Sequence, residues 1–331
     1  MNHTIIPGLN RREFIKMSFV GLTSLPHFET RLFSQEKRKT PIALFKTSDR
    51  KQGVREILRL LSFPSPQGKR LLIKPNFNTA DPAPGSTHND TLAQLILEMR
   101  ARGADQITVG ERSGPPPTHK VMEEKGIFAL AREMDFAVIN FEELPEEEWV
   151  HFNPPGSHWP EGFSLAKPAV DAEYLVSTCC LKTHQFGGVF TMSMKLSVGL
   201  TPKKYMRELH RSPDMRKMIA ELNFGYRPQV IVLDGVDAFV DGGPSTGKNV
   251  NANVFIGGTD RIAVDAVGLA VLKDLGSNEA IMKTKIFEQE QIRRAVELGL
   301  GISHPEQIEI VTPDPPSQIY AKTIREILNE G

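Results

Sequence analysis

Residues 174–195 read YLVSTCCLKTHQFGGVFTMSMK, an apolar run that gives way to polar residues and glycine. The part from Tyr174 to Cys180 is mostly apolar, which is typical of a strand buried on both faces of a sheet. Lys182 and His184 follow it directly, and Gly187-Gly188 then allows the chain to turn. Ligands of open α/β sheets bind at the carboxyl ends of the strands. The stretch therefore predicts a strand end with a site for an anionic group.

Short β-rich runs alternate with helical patterns along the rest of the chain. The predicted strands are Ile42–Phe45, Leu71–Lys74, Gln106–Val109, Phe136–Ile139, Tyr174–Cys180, Val230–Leu233, Asn253–Ile256 and Ile308–Val311. The predicted helices are Val54–Leu61, Asp90–Arg102, Thr118–Glu133, Pro213–Leu222, Asp260–Leu275, Glu290–Leu298 and Ile319–Leu328. This alternation predicts an α/β fold with a mixed, mostly parallel sheet and helices on both faces, in two lobes around a cleft.

Two segments interrupt the alternation. Residues 145–168 are rich in proline, glycine and acidic residues, and we interpret them as a long loop or a lid between the lobes. Residues 201–211 are strongly basic. They form either a solvated helix face or a rim that attracts an anionic ligand.

The overall charge argues against a polyanionic partner. The 40 Lys and Arg residues balance the 40 Asp and Glu residues, so there is no global basic field for nucleic acid or anionic lipid. Beyond the N-terminal segment, no apolar stretch approaches the roughly 20 residues of a transmembrane helix. We expect a small anionic molecule as the partner, and neither nucleic acid nor a transmembrane span. Protein partners are left open.

Residues 1–40 are predicted to be a leader outside the α/β domain of residues 41–331. Asn10–Lys16 reads NRREFIK, which resembles the twin-arginine export motif, and a short apolar stretch follows from Met17 to Leu25. This motif predicts an exported or periplasmic protein that folds before transport. Because no small-residue cleavage site is obvious, a disordered basic leader on a cytoplasmic protein is the alternative.

Cys179 and Cys180 are the only cysteines of the chain. Neighbouring residues of a strand point to opposite faces, so the two thiols are poorly placed to bond to each other. No CxxC spacing indicates a metal site. We expect both residues to pack in the core.

His184, Lys182 and Glu111 are the candidate catalytic residues. An imidazole with a pKa near neutrality serves as a base, an acid or a metal ligand, and the alternative is a buried histidine bonded to the backbone. Lys182 either holds a carboxylate or phosphate or, if desolvated, forms a covalent adduct. Glu111 follows another predicted strand and is either a general base, a ligand carboxylate or an ion-pair partner of Arg112 or another basic residue.

Candidate substrate-binding residues stand at other strand ends. Lys74 and Asn76 flank Pro75, which stops the early strand, and a helix N-terminus that favours anions follows. The remaining candidates are Lys195 and two glycine pairs, Gly187-Gly188 and Gly257-Gly258.

Asp234, Asp237 and Asp241 are the best candidate for a carboxylate cluster in the chain. They either converge on a divalent metal or serve as turn-forming aspartates. The following segment, Gly242–Asn249, nearly fits a phosphate loop, but Asn249 replaces the required Ser or Thr and a strand follows. We interpret it as a loop whose backbone N–H groups line a pocket. Asp265 either forms a surface pair with Arg261 or orients a basic group near the site.

The ordered set of these segments resembles the domain-of-unknown-function family numbered 362. The resemblance covers about residues 40–312 and is carried by Lys74-Pro75-Asn76, Lys182-Thr183-His184 with Lys195, Asp234-Gly235 to Gly243-Pro244, and Gly258-Thr259-Asp260 with Ala263-Val264-Asp265. It implies a fold and a site location but no reaction.

The resemblance also bears on cofactors. Some members of the family carry a ferredoxin-type Cys-rich module, which this chain lacks, so no iron–sulfur cluster is expected. The order of His184, Gly187-Gly188 and Lys195 is also similar to the central block of nickel-pincer lactate racemase-like proteins. There a lysine carries the cofactor, but the spacing and the flanking residues differ here. The cofactor is therefore unknown, with a divalent metal as one candidate.

The sequence thus predicts an enzyme that acts on a small anionic substrate, or holds an anionic cofactor, in a Lys/His/Asp cleft. The reaction class is left open. Its alternative is an exported, non-catalytic protein that binds a ligand or delivers a cofactor. We expect seven residues to converge in the cleft: Lys74, Asn76, Lys182, His184, Lys195, Asp234 and Asp241.

Overall fold

The structure, a computed structural model, describes residues 39–331 of the chain. The twin-arginine motif and nearly all of the predicted leader lie outside these residues. Among the helices of the described part, none is long and apolar enough to cross a membrane.

A mixed sheet of nine strands runs through the described residues, and a separate pair of strands forms a small second sheet. The strands are β1 (Thr40–Lys46), β2 (Leu71–Lys74), β3 (Ile107–Glu111), β4 (Ala137–Asn140), β5 (Trp149–Phe152), β6 (Phe163–Ala166), β7 (Tyr174–His184), β8 (Val189–Thr191), β9 (Val230–Gly242), β10 (Gly247–Gly258) and β11 (Ile308–Val311). The order in the large sheet is β11-β1-β10-β9-β7-β2-β3-β4, with β8 paired to the end of β7. Since β9, β7, β2, β3 and β4 are mutually parallel, the predicted mostly parallel sheet is confirmed.

Helices connect most of the strands and cover the sheet. They are α1 (Arg50–Leu60), α2 (Asn89–Ala101), α3 (Thr118–Glu124), α4 (Ile127–Met134), α5 (Lys167–Val170), α6 (Met206–Arg211), α7 (Met215–Leu222), α8 (Arg261–Asp274), α9 (Glu279–Lys283), α10 (Glu290–Glu297) and α11 (Pro315–Glu330). Short 3₁₀ turns lie at Phe141–Glu143, Glu146–Glu148, Met194–Leu200, Lys203–Tyr205, Asn223–Gly225, Ile286–Glu288 and Pro305–Gln307.

The alternation of side chains in β1 shows how the sheet is enclosed. Ile42 and Leu44 belong to the apolar cluster that contains the buried residues of α8. Ala43 and Phe45, on the other face, belong to the cluster that contains the buried residues of α1 and α2. Since successive strand residues point to opposite faces, helices cover both faces, as the sequence predicts. The division into two lobes stays a prediction.

Three strand predictions, those of β7, β9 and β10, were too short. β7 continues past Cys180 to His184 because β8 and β9 pair with its two edges, so Lys182 and His184 are strand residues. β9 and β10 form a long antiparallel hairpin, and the three aspartates Asp234, Asp237 and Asp241 lie within β9. They are therefore not turn residues.

The segment predicted as a loop or a lid contains the strand pair β5–β6. Trp159 lies between these strands and is 1% exposed, and its indole N–H donates to the Met218 carbonyl oxygen at 3.1 Å. Residues 145–168 thus pack against the rest of the fold in this structure. Their action as a lid stays a prediction.

Gly53 sets how closely α1 approaches the sheet. A Cβ at Gly53 would overlap the ring of Phe255 in β10. An exposed helical Gly→Ala change usually stabilises a helix by up to about 1 kcal/mol. We expect Gly53→Ala to lower the free energy of unfolding by about 1–3 kcal/mol instead, because a rigid ring blocks the added methyl group. Urea denaturation measures the difference.

Gly268→Ala in α8 is the matched control. There the added Cβ would meet the sulfur of Met192, which lies near the end of a flexible side chain. The loss of stability is expected to be smaller than at Gly53. Equal losses at both sites would show that ring rigidity does not limit the approach of α1.

Candidate functional site

A cavity of about 780 Å³ opens at the carboxyl ends of β2, β3 and β7. In a parallel sheet these strand ends lie at one edge, where ligands of α/β proteins bind. The cavity is also lined by the turn Met194–Leu200, by α6 and by the turn between β9 and β10. Six of the predicted site residues line it: Lys74, Asn76, Glu111, Lys182, His184 and Lys195.

The other predicted glycines do not line this cavity. A Cβ on Gly257 would overlap Ile57 of α1, and one on Gly258 would overlap Ile42 of β1. These two glycines allow close packing in the core rather than contact with a ligand. The geometry favours this packing role, and the predicted substrate-binding role of Gly257 and Gly258 stays an untested prediction.

The predicted aspartate cluster does not reach the cavity either. Arg50 donates from Nε to Asp234 Oδ2 at 3.0 Å and from Nη2 to Asp237 Oδ2 at 2.6 Å. Asp241 is exposed and faces Lys248 across the hairpin. Residues 39–331 contain no group of three or more His, Cys, Asp or Glu side chains that could hold a metal ion. The prediction that the three aspartates converge on a metal is corrected, since two of them bind a guanidinium.

Lys74 and Glu111 form a buried ion pair at the wall of the cavity. Lys74 Nζ lies 2.5 Å from Glu111 Oε1, and both side chains are almost completely buried. The same oxygen accepts the Arg112 N–H at 2.9 Å, and Oε2 accepts the Phe77 N–H at 2.7 Å. The carboxylate therefore has a donor on each oxygen. This geometry favours the ion-pair interpretation of Glu111 over a general base.

Lys182 connects β7 to two loops by hydrogen bonds. Its Nζ donates to the Gly85 carbonyl oxygen at 2.6 Å and to the Pro244 carbonyl oxygen at 2.9 Å. Burial lowers the pKa of Lys182 to about 8. Its positive charge is stabilised by carbonyl dipoles rather than by a carboxylate. Pro244 belongs to the β9–β10 turn, so the rejected phosphate loop does border the cavity.

His184 lies on the same face of β7 as Lys182 because the side chains of a strand alternate. It is 4% exposed, and its Nδ1 accepts the Gly188 N–H at 3.2 Å. A backbone N–H can only donate, so in the neutral ring the proton sits on Nε2. Burial, followed by the charges of Lys195, His210 and Lys182, lowers the pKa of His184 to about 2. His184 is thus a neutral hydrogen-bond donor at physiological pH, held by a backbone group as one sequence alternative states.

Gly188 has a steric reason to be glycine. A Cβ at this position would lie 2.8 Å from His184 Nδ1, too close for the hydrogen bond to form. Gly187, with φ of 85°, makes the preceding turn in the left-handed region. Gly188 therefore helps to orient the imidazole, and neither glycine lines the cavity.

Lys195 lies on the 3₁₀ turn Met194–Leu200 and is partly buried at the cavity. Among residues 39–331, no carboxylate lies within 4 Å of its ammonium group. Burial, followed by the charges of Lys182 and Arg112, lowers the pKa of Lys195 to about 7. The Lys195 side chain can therefore gain or lose its proton near neutral pH, and it has no built-in counterion in the described residues.

Asp265 fixes the turn that carries Lys195. It is fully buried in α8, and its Oδ1 accepts the Ser193 N–H at 2.7 Å while its Oδ2 accepts the Met194 N–H at 3.1 Å. Arg261 donates instead to Asn223 and to the Tyr226 carbonyl oxygen. The surface pair with Arg261 is thus corrected, and Asp265 holds the two residues that precede Lys195.

Arg112 is a residue that the sequence suggests only as a partner of Glu111. It is buried, and its guanidinium donates to the Thr201 carbonyl oxygen at 2.8 Å and to the Val198 carbonyl oxygen. Burial lowers the pKa of Arg112 to about 10. The only indication of its role in the sequence is that Arg112 directly follows Glu111 at the end of a strand. Carbonyls nearly 90 residues away provide its partners, and no local pattern indicates them.

The basic segment 201–211 contributes to the mouth of the cavity. Lys203, Arg207 and His210 line it, together with Met206. This placement favours the rim interpretation over a solvated helix face. Phe186, on the β7–β8 turn, also lines the mouth and is 60% exposed.

Comparison with known proteins gives one family and two individual similarities. Residues 71–270, more than half of the chain, match the family described as "Domain of unknown function (DUF362)". The thylakoid-associated protein sll1697 of Synechocystis sp. is 23% identical over 258 residues, which are 73% of this chain and 75% of that protein. The lactate racemase apoprotein structure from Thermoanaerobacterium thermosaccharolyticum has a TM-score of 0.43 and 15% identity, over 91% of this chain and 88% of that chain.

The ionisation of Asp265 is expected to shape the pH dependence of stability. Burial raises its pKa to about 7, from about 3.9 in an unfolded chain. Between these values the folded state binds more protons, so the contribution of Asp265 to the free energy of unfolding falls as pH rises. We expect Asp265→Asn to remove this decline, which is at most about 1.4 kcal/mol per pH unit.

Urea denaturation at pH 4.5, 5.5 and 6.5 checks this expectation. The matched control is Asp241→Asn, which makes the same substitution at an exposed residue. Parallel stability curves for the wild type and Asp265→Asn would mean that Asp265 titrates normally.

Proposed function

This chain belongs to the family described as domain of unknown function DUF362, and we propose that its cavity binds a small anion and acts on it as an enzyme. The same charge complementarity suits an anionic cofactor. In this proposal Lys195 contacts the anion and exchanges a proton with the substrate. His184 donates a hydrogen bond, and Lys182 with Arg112 holds the surrounding loops in place.

The observation that carries the proposal is the imbalance of charge in the cavity. Its lining contains a single carboxylate, that of Glu111, within the described part of the chain. Against it stand six cationic side chains: Lys74, Arg112, Lys182, Lys195, Lys203 and Arg207. Glu111 compensates Lys74, and Glu142, outside the lining, compensates Lys203. Lys182 and Arg112 donate to neutral acceptors, mainly backbone carbonyl oxygens. A bound anion supplies the missing counter-charge, and the low dielectric of a cavity strengthens that attraction.

Lys195 suits acid–base chemistry better than His184 does. A proton-transfer group is most effective when its pKa lies near the working pH, and the pKa of Lys195 is about 7. The low pKa of His184 keeps its imidazole neutral. A neutral imidazole N–H can still stabilise negative charge that develops on a bound substrate. The proposal thus moves proton transfer from His184, where the sequence suggests it, to Lys195.

Sulfate tests the anion site because its charge is constant above pH 4. We expect Lys195→Met to weaken sulfate binding at pH 6 by at least tenfold, since it removes the uncompensated ammonium group. In the wild type the affinity falls as pH rises through about 7, because Lys195 loses its proton, by at most tenfold per pH unit. In the variant this part of the pH dependence disappears. Isothermal titration calorimetry measures both effects.

Lys204→Met is the matched control for this experiment. Lys204 is exposed, pairs with Glu146 and does not line the cavity, so its loss removes an equal charge elsewhere. Sulfate affinity that is equal in Lys195→Met and the wild type at pH 6 contradicts the anion site.

Two substitutions of similar size, His184→Gln and His184→Leu, test whether His184 donates a hydrogen bond to the anion. Glutamine keeps a side-chain N–H and an oxygen that accepts from Gly188, so His184→Gln is expected to bind sulfate within about threefold of wild type. His184→Leu loses the donor, and a hydrogen bond to a charged group is worth about 1.5–3 kcal/mol, so binding weakens by roughly tenfold or more. Calorimetry at pH 6 compares the two. Equal losses of sulfate affinity in both variants would show that His184 does not act simply as a hydrogen-bond donor.

A non-catalytic binding protein is the second candidate. It is favoured by one observation: Glu111 has donors on both oxygens and His184 stays neutral, which leaves two of the three predicted catalytic groups without proton-transfer capacity. NMR of small carboxylates and phosphate esters incubated with the protein in D₂O separates the candidates. Conversion or deuterium incorporation that Lys195→Met abolishes supports an enzyme, and binding without any chemical change supports the binding protein.

A further inference from the structure

We propose that the ligand of this cavity is an elongated anion with a negative group at each end and an apolar body between them. The proposal rests on the proposed function, because the inner negative group occupies the anion site at Lys195 and His184. It adds a second anion site at the mouth, formed by Arg207 and His210 of α6.

The volume of the cavity is the first argument. About 780 Å³ lies within the range of roughly 300–1,000 Å³ that buries a drug-sized molecule. A sulfate ion or a three-carbon acid fills only a small part of such a space. A ligand that matches the cavity therefore extends from the strand ends towards the mouth.

The charge at the mouth is the second argument. Lys203 is already satisfied there, by Glu142 at 2.7 Å and by the Pro116 carbonyl oxygen at 2.7 Å. Arg207, one helical turn further on, has no carboxylate within 4 Å among residues 39–331. A guanidinium without a partner, at the edge of a cavity, matches the planar geometry of a carboxylate or phosphate.

His210 stands beside Arg207 on the cavity side of α6. Its Nδ1 lies 2.7 Å from the Met206 carbonyl oxygen, so Nδ1 carries a proton and Nε2 faces no partner in the described residues. Its charge, when present, also lowers the pKa of His184. Since His210 and His184 line the same cavity, one ligand can reach both anion sites.

The apolar part of the cavity lining is the third argument. It is formed by Leu196 and Val198 of the 3₁₀ turn, Met206 of α6, Pro115 and Phe186. The Phe186 ring meets the His184 ring edge to face, with 6.0 Å between the centroids. Such a wall favours an aliphatic or aromatic body over a sugar or a bare polyphosphate, whose polar groups would lose their hydrogen bonds to water.

Calorimetry with straight-chain monocarboxylates and α,ω-dicarboxylates of three to nine carbons tests the proposal at pH 6.5. Two linked groups that reach two sites bind with a high effective concentration. We expect dicarboxylate affinity to peak at one chain length and to exceed that of the monocarboxylate of equal length at least tenfold. Arg207→Met is expected to remove this advantage, and so to weaken dicarboxylate binding more than monocarboxylate binding. Lys195→Met is expected to weaken both series.

Arg211→Met is the matched control, since it removes the same charge from the same helix at an exposed residue that does not line the cavity. If neither series binds the wild type, the proposed function itself fails. If monocarboxylates bind in a Lys195-dependent way and the second carboxylate adds nothing, only the elongated anion is overturned. Equal effects of Arg207→Met and Arg211→Met on dicarboxylates would also overturn it, because the mouth would then act only through its net charge.

Discussion

The burial of several positive charges at one edge of the sheet is the constraint around which the site is built. Removing a cation from water is unfavourable by several kcal/mol unless partners replace the lost hydration. The chain provides a carboxylate for Lys74 and backbone carbonyls for Lys182 and Arg112, so three of the four inner cations help to hold the loops. Lys195 receives no such partner in the described residues, and this leaves one charge for a ligand.

In this arrangement, some residues position the backbone and the rings, and other residues face the cavity. Asp265 and Gly188 act on the backbone and on ring orientation, and neither contacts the space where a ligand would lie. The groups that face the cavity are therefore placed by residues behind them. Membership of a family whose description gives no activity adds no reaction, so the chemistry has to be inferred from this placement.

The sequence predicted the alternation of strands and helices well because buried strands and amphipathic helices have local patterns. The sequence also predicted that Lys74, Lys182 and His184 lie at one edge of the sheet, because the carboxyl ends of parallel strands meet there. It failed for Asp234 and Asp237, whose partner Arg50 is more than 180 residues away in the chain. The protonation state of His184 could not be predicted from the sequence either, because it depends on a hydrogen bond from a backbone N–H and on the burial of the imidazole. Long-range pairing and desolvation leave little trace in a single sequence.

The hydrogen bonds of Lys182 have a consequence for how such a site can diversify. Its acceptors, the carbonyl oxygens of Gly85 and Pro244, belong to the main chain of two separate loops. These two hydrogen bonds therefore depend on the backbone path of the loops and not on the chemistry of their side chains. Mutations that alter ligand preference can accumulate around the cavity without disturbing the lysine that anchors its frame. The site thus combines a fixed scaffold with an evolvable lining.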